Sequence, residues 1–160
     1  MKISRFAIVL VAIVSVAVGV SAAVGGTHAA TRAVTIKTAN SSLGRIIVDA
    51  RGHTLYLFEK DTRRHSACTG ACAAYWPPLL THGKPTAGAG VKRSLLGIIR
   101  RANGTRQVTY AGHPLYRFAL DTKPGQTNGE GRQDFRAGWD ALTPAGKKIE
   151  KDASDSGYPR

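Results

Sequence analysis

Two stretches of this chain carry residues whose types and spacing could do chemistry. The first is Cys68-Thr69-Gly70-Ala71-Cys72, which runs on into Ala73-Ala74-Tyr75-Trp76-Pro77-Pro78. On a helical turn, positions i and i+4 share a face, with Cα atoms about 6 Å apart and within disulfide range. Two cysteines so placed in an exported chain most often join. The bond would pin one short turn, and Trp76 with it, against neighbouring strands. The same thiolates, with His53, His65 or His82, make an alternative set for a soft ion such as copper(I), or for zinc. The spacing is neither that of covalent haem attachment nor that of a thioredoxin-type dithiol, both of which use Cys-x-x-Cys.

The second stretch is an octapeptide used twice. Leu55-Tyr56-Leu57-Phe58-Glu59-Lys60-Asp61-Thr62 returns sixty residues later as Leu115-Tyr116-Arg117-Phe118-Ala119-Leu120-Asp121-Thr122. The match extends backwards without a gap, pairing Gly44 with Gly104, Val48 with Val108, Gly52 with Gly112 and His53 with His113. Such a repeat fixes the unit of the fold. Asp61 and Asp121 stand just past a strand, where a carboxylate accepts hydrogen bonds from the backbone of the next turn. Catalysis by the two would require their side chains to converge, which an interval along the chain does not establish. His53 and His113 sit at hairpin corners, as turn-compatible residues or, in the alternative, as metal ligands. No side chain pairs a nucleophile with a base beside it, so no catalytic residue is assigned and an enzyme is not the expectation.

The elements that must position these residues are mostly strands. Residues 34–38 alternate with period two, 45–49 are rich in β-branched residues, and 54–59 follow a Gly52 turn, which reads as a hairpin. In the second copy, 94–101, 105–110 and 114–120 repeat the plan, with Asn103-Gly104 as a two-residue hairpin turn. Each copy thus reads as a three-strand meander ending in the octapeptide. Tyr56 and Phe58 share one strand face while Leu55 and Leu57 share the other, as do Tyr116 and Phe118 opposite Arg117. With both faces of the first strand apolar, the aromatic pair is expected in the core. Residues 81–91 and 123–131 read as loops, and 135–142 as a last strand carrying Trp139. The expected fold is mainly β: two tandem antiparallel meanders packed into one small domain, with a helical turn at 69–75. The expected divisions are a leader at 1–29, copies at 30–84 and 85–151, and a disordered tail at 152–160.

Residues 1–29 carry a basic start, an apolar run from Phe6 to Val20 and small residues at Ser21-Ala22-Ala23, the order of a secretory signal peptide. An uncleaved membrane anchor is the alternative, since residues 6–24 are nearly long enough to span a bilayer. No cysteine lies near the end of the apolar run, so no lipid anchor is expected there. Without residues 1–29 the chain holds 21 Lys and Arg against 10 acids, a net charge of +11. That balance favours anionic partners such as cell-envelope polymers. No nucleic-acid recognition motif accompanies it, so specific nucleic-acid binding is not expected.

Tyr56-x-Phe58-x-x-Asp61 and Tyr116-x-Phe118-x-x-Asp121 resemble the Tyr-x-aromatic-x-x-Asp signature of the bacterial "secreted repeat of unknown function" proteins, also labelled predicted lipoproteins. The stretches 68–78 and 112–118 are similar to other hallmarks of that family, and the likeness covers about residues 34–149. It implies export from a bacterium and tandem copies, and it supplies no activity or catalytic residue.

Overall fold

The computed structural model describes residues 33–149, so the expected leader and tail lie outside the described residues. β1 (Thr35–Ser41) and β2 (Gly44–Asp49) form an antiparallel hairpin with Ser41 opposite Gly44. β1 therefore continues through Asn40 and Ser41, beyond the alternating run at 34–38. In the second copy, β5 (Leu96–Arg100) pairs with β6 (Arg106–Tyr110), and β5 is preceded by a 3₁₀ turn at Arg93–Leu95. Between them Arg101 N–H donates to Thr105 O at 2.8 Å, which leaves a three-residue turn rather than the two-residue one expected from Asn103-Gly104. Only the glycine of that pair is left-handed. Gly104 (φ 82) and Gly44 (φ 83) occupy matching places with matching backbones, so the repeat extends to conformation.

The octapeptides are short strands that end in a tight turn at their fifth and sixth residues. β3 (Tyr56–Phe58) lies in the first, and β7 (His113–Pro114) leads into the second. Tyr56 and Tyr116 face each other across an antiparallel bridge, each donating its N–H to the other's carbonyl at 2.9 and 3.0 Å. Equivalent residues exchanging equivalent bonds define a local two-fold axis between the copies.

Beyond its meander each copy has a further extended segment, a fourth strand, that docks in the other copy, and the one expected at 135–142 is present. In the second copy this is β9 (Ala137–Ala141), which pairs with β3, while Ile47 N–H of the first copy donates to Leu142 O. In the first copy it is the segment 75–81. Leu79 N–H donates to Leu115 O, Arg117 N–H to Pro77 O and Ala119 N–H to Tyr75 O, while Val108 N–H donates to Leu79 O. The two copies are therefore interwoven.

The remaining elements are local. α1 (Ala71–Tyr75) is the helical turn expected beside the cysteines. The linker expected to be a loop contains β4 (Thr86–Ala87), which pairs parallel with β1. β8 (Arg132–Asp134) pairs with β9 across a two-residue turn made by Phe135 and Arg136. These two residues, expected at the start of the last strand, instead hold φ of 57° and 67°. A type I′ turn requires both positions left-handed and ordinarily uses Asn-Gly. Replacing Arg136 by glycine relieves the crowding of Cβ against the backbone and should stabilise the fold by about 0.5–1 kcal/mol, read as a rise in the thermal midpoint.

The two octapeptide faces enter two cores, as the alternation predicts. Tyr56, Phe58, Tyr116 and Phe118 join Ile46, Val48, Trp76 and Trp139 in one. Leu55, Leu57 and Leu115 join Ile36, Ile47, Val108 and Leu142 in the other. The first core is built on a column of four rings. Trp76 and Trp139 stack at 3.9 Å between centroids, with Phe58 outside Trp139 at 4.1 Å and Phe118 outside Trp76 at 4.4 Å. Tyr56 meets the edge of Trp76 at 5.4 Å and Tyr116 that of Trp139 at 5.1 Å. The column obeys the same two-fold relation as the strands. Hydrogen bonding at the indoles does not, since Trp139 Nε1 donates to Asp134 O while Trp76 Nε1 is enclosed without an acceptor among the described residues.

Candidate functional site

The residues that define the repeated motif converge across the two-fold axis. Tyr56 Oη donates to Asp121 Oδ2 at 2.5 Å, and Tyr116 Oη donates to Asp61 Oδ2 at 2.6 Å. Each tyrosine thus serves the aspartate of the other copy. The second oxygen of each aspartate does what a carboxylate after a strand was expected to do: Asp61 Oδ1 accepts from Ala67 N–H and Asp121 Oδ1 from Asn128 N–H. One carboxylate therefore ties a strand of the partner copy to a loop of its own. Burial, followed by the facing carboxylates, raises both phenols far above their ordinary range, so they remain donors at any physiological pH.

The second copy places a buried cation beside the first copy's Asp61. Arg101 is 7 % exposed. Its Nη1 donates to Ser66 Oγ and to Gln107 Oε1, and its Nη2 to the Cys68 carbonyl, at 2.7, 2.5 and 2.5 Å. Ser66 Oγ lies 2.7 Å from Tyr116 Oη, which in turn donates to Asp61. A chain of two hydroxyls thus links Arg101 to Asp61. Burial is the largest influence on Asp61 and leaves its carboxyl above the ordinary value of 3.8, against the opposing pull of Tyr116, Ala67, Arg101 and His65.

Asp49 shows the reverse balance. Burial pushes its carboxyl up. The N–H groups of His53 and Arg51 and the Arg117 guanidinium, whose Nε lies 2.7 Å from Oδ2, outweigh that and hold it below 3.8. The pH dependence of stability follows from the two signs. Below neutrality the folded state keeps a proton on Asp61 that the unfolded chain has lost, so stability rises as pH falls toward 3.8. Below 3.8 the unfolded chain takes up a proton that folded Asp49 refuses, and stability falls. Denaturant midpoints against pH should pass through a maximum, with Asp61→Asn flattening the upper limb and Asp49→Asn the lower.

Cys68 and Cys72 form a disulfide with Cα atoms 5.2 Å apart, closing α1 against the column through Trp76. The pair therefore offers no thiolate in this oxidised state. Among the described residues, no three His, Cys, Asp or Glu side chains gather at metal-binding distance. His53 lies beside Asp49, with Nδ1 3.6 Å from Oδ2. His65 is exposed in the turn whose carbonyl accepts from Thr62. His113 is half-buried, and burial and Arg63 push its imidazole down. Because the bridge closes a very short loop, Cys68→Ala with Cys72→Ala should cost about 2 kcal/mol and leave the fold intact, measurable by urea unfolding.

Three features escape the octapeptide. Trp76 and Trp139 are equivalent but lie 63 residues apart rather than sixty, because three extra residues separate Asp121 from Trp139. Arg101 has the type of a surface residue and only its hydrogen bonds mark it as internal. The outer surface is the third. Of the seven Asp and Glu in the described chain only Glu59 is exposed, whereas fourteen Lys and Arg are exposed. The fold has drawn its acids inward. Glu59 itself is paired with Lys148 at 2.7 Å.

The geometry thus defines a two-copy β protein whose copies are locked through exchanged strands and exchanged Tyr–Asp bonds. A family model described as "Secreted repeat of unknown function" matches residues 37–80 and 97–143, and the chain belongs to that family. The matched segments begin sixty residues apart and end 63 apart, each reaching through the exchanged fourth strand. No curated protein matches the chain, and no solved structure does. No helix among the described residues is long and apolar enough to cross a membrane.

Proposed function

We propose that this protein is an exported, non-enzymatic module of the bacterial cell envelope that holds anionic envelope polymers on its basic surface, residues 1–29 being its signal peptide. The observation that carries the reading is the segregation of charge among the described residues, with fourteen exposed cations against one exposed and already paired acid. A surface of one sign attracts polyanions over several ångströms and releases their counterions on contact. The bonding of the signature residues fits the same reading: Tyr56, Tyr116, Asp61 and Asp121 direct donors and acceptors to each other, to Ser66 and to nearby backbone. The test is retention of the mature chain on isolated envelope material as salt is raised. Binding that weakens steeply between about 0.05 and 0.5 M salt is expected. Absence of retention at low salt, or retention indifferent to salt, overturns the proposal.

A further inference from the structure

The Phe135-Arg136 turn departs from what its sequence dictates. Both residues stand where Asn-Gly belongs, in a left-handed conformation that side chains disfavour. The Phe135 ring is also 40 % exposed, whereas the motif aromatics Tyr56, Phe58, Tyr116 and Phe118 are buried. Backbone strain and exposed rings persist where the surroundings hold them for a purpose. Both side chains line one cavity of about 350 Å³, at the lower end of ligand-pocket sizes. Its walls include Phe58, Lys60, Thr69 and Cys72, and no acid lines it. Ala67 and Ala71 complete the lining with small side chains, Cys72 belongs to the disulfide, and Phe58 is stacked on Trp139.

Resting on the proposed function, we infer that this cavity is the specific subsite for one acidic sugar residue of the bound polymer. The exposed Phe135 ring offers a flat apolar face to the C–H face of a pyranose. Lys60 and Arg136 lie at the same opening for its carboxylate, Arg136 as a planar fork suited to two parallel hydrogen bonds. The Thr69 hydroxyl can serve a ring hydroxyl as donor or acceptor. A long acyl chain or a bulky peptide side chain would demand a deeper apolar pocket than these small residues form.

The test is calorimetric titration of the full chain with trigalacturonate, its methyl ester and inorganic tripolyphosphate. Trigalacturonate should bind about tenfold or more tightly than either comparator. The turn variant Phe135→Asn with Arg136→Gly carries the sequence that the backbone prefers and remains folded. It should lose about tenfold in trigalacturonate affinity while keeping salt-sensitive retention on envelope material. Equal binding of trigalacturonate and tripolyphosphate, or undiminished binding by the turn variant, overturns the subsite and leaves the basic-surface reading standing. Loss of envelope retention by the unaltered chain overturns both.

Discussion

Replacing Trp139 by alanine lowers the stability of the folded chain by about 3–5 kcal/mol, a large share of the roughly 5–15 kcal/mol that holds a domain of this kind together. The indole is fully buried and touches three other rings, Phe58, Trp76 and Tyr116. Its removal leaves a cavity on the two-fold axis, in the middle of the column on which the first core is built. The neighbours cannot close that space, because Phe58 and Tyr116 are held by strand pairing and Trp76 by the helical turn that the disulfide closes. Trp139→Phe keeps a ring in the column and should cost about half as much or less. Trp76→Ala should resemble Trp139→Ala. The double variant should cost clearly less than the sum, since the two single changes break the same stacked contact. Urea unfolding followed by far-ultraviolet dichroism checks all four, and strict additivity would mean that the column is not one unit.

Arg101→Met costs about 3 kcal/mol or more, although it replaces a charged residue with an apolar one of similar length in a buried place. The guanidinium satisfies Ser66, Gln107 and the Cys68 carbonyl, and its charge reaches Asp61 through Ser66 and Tyr116. Without it, three acceptors in the interior lose their donor and Asp61 faces burial with less compensation. Arg101→Lys should recover little, because an ammonium cannot aim donors at three separated acceptors in the way a planar fork does. Adding Asp61→Asn to Arg101→Met should recover part of the loss. A cycle of unfolding free energies over the four chains measures the coupling, and a coupling near zero would sever the proposed link between Arg101 and the motif carboxylate.

Much of this architecture was legible in the residues. The alternation of Leu55, Tyr56, Leu57 and Phe58 assigns the two strand faces correctly, because period two is a property of the backbone and needs no partner. The Cys68–Cys72 spacing places the sulfurs on one helical face, and the disulfide is there. What stayed hidden depends on contacts between distant segments. Nothing near Tyr56 announces that its acceptor is Asp121, since the bond exists only once the two octapeptides cross. The last strand was read at 135–142 and is there as β9, but its place in the other copy was hidden, as was the whole of the segment 75–81. Pro77-Pro78 reads as a breaker, yet the carbonyl of Pro77 is the group that Arg117 needs. Phe135 and Arg136 read as strand by propensity, and the turn they make is imposed by the register of β8 on β9. Arg101 reads as surface because its type usually is.

The exchanged fourth strands have a consequence for descent. A single copy cannot complete its own sheet, so a lone copy would have to find a second one on another chain. The simplest history is a small protein that first worked as a symmetric pair of identical chains and then became one chain by duplication and fusion. On that history, the axis through Tyr56 and Tyr116 would be the trace of the pairing. The halves now differ: the first carries both cysteines and lies against the second's buried Arg101, and the second has three more residues between Asp121 and Trp139 than the first has between Asp61 and Trp76. The relatives of such a chain should carry their copies in twos, and an unpaired copy should be found only where two chains meet.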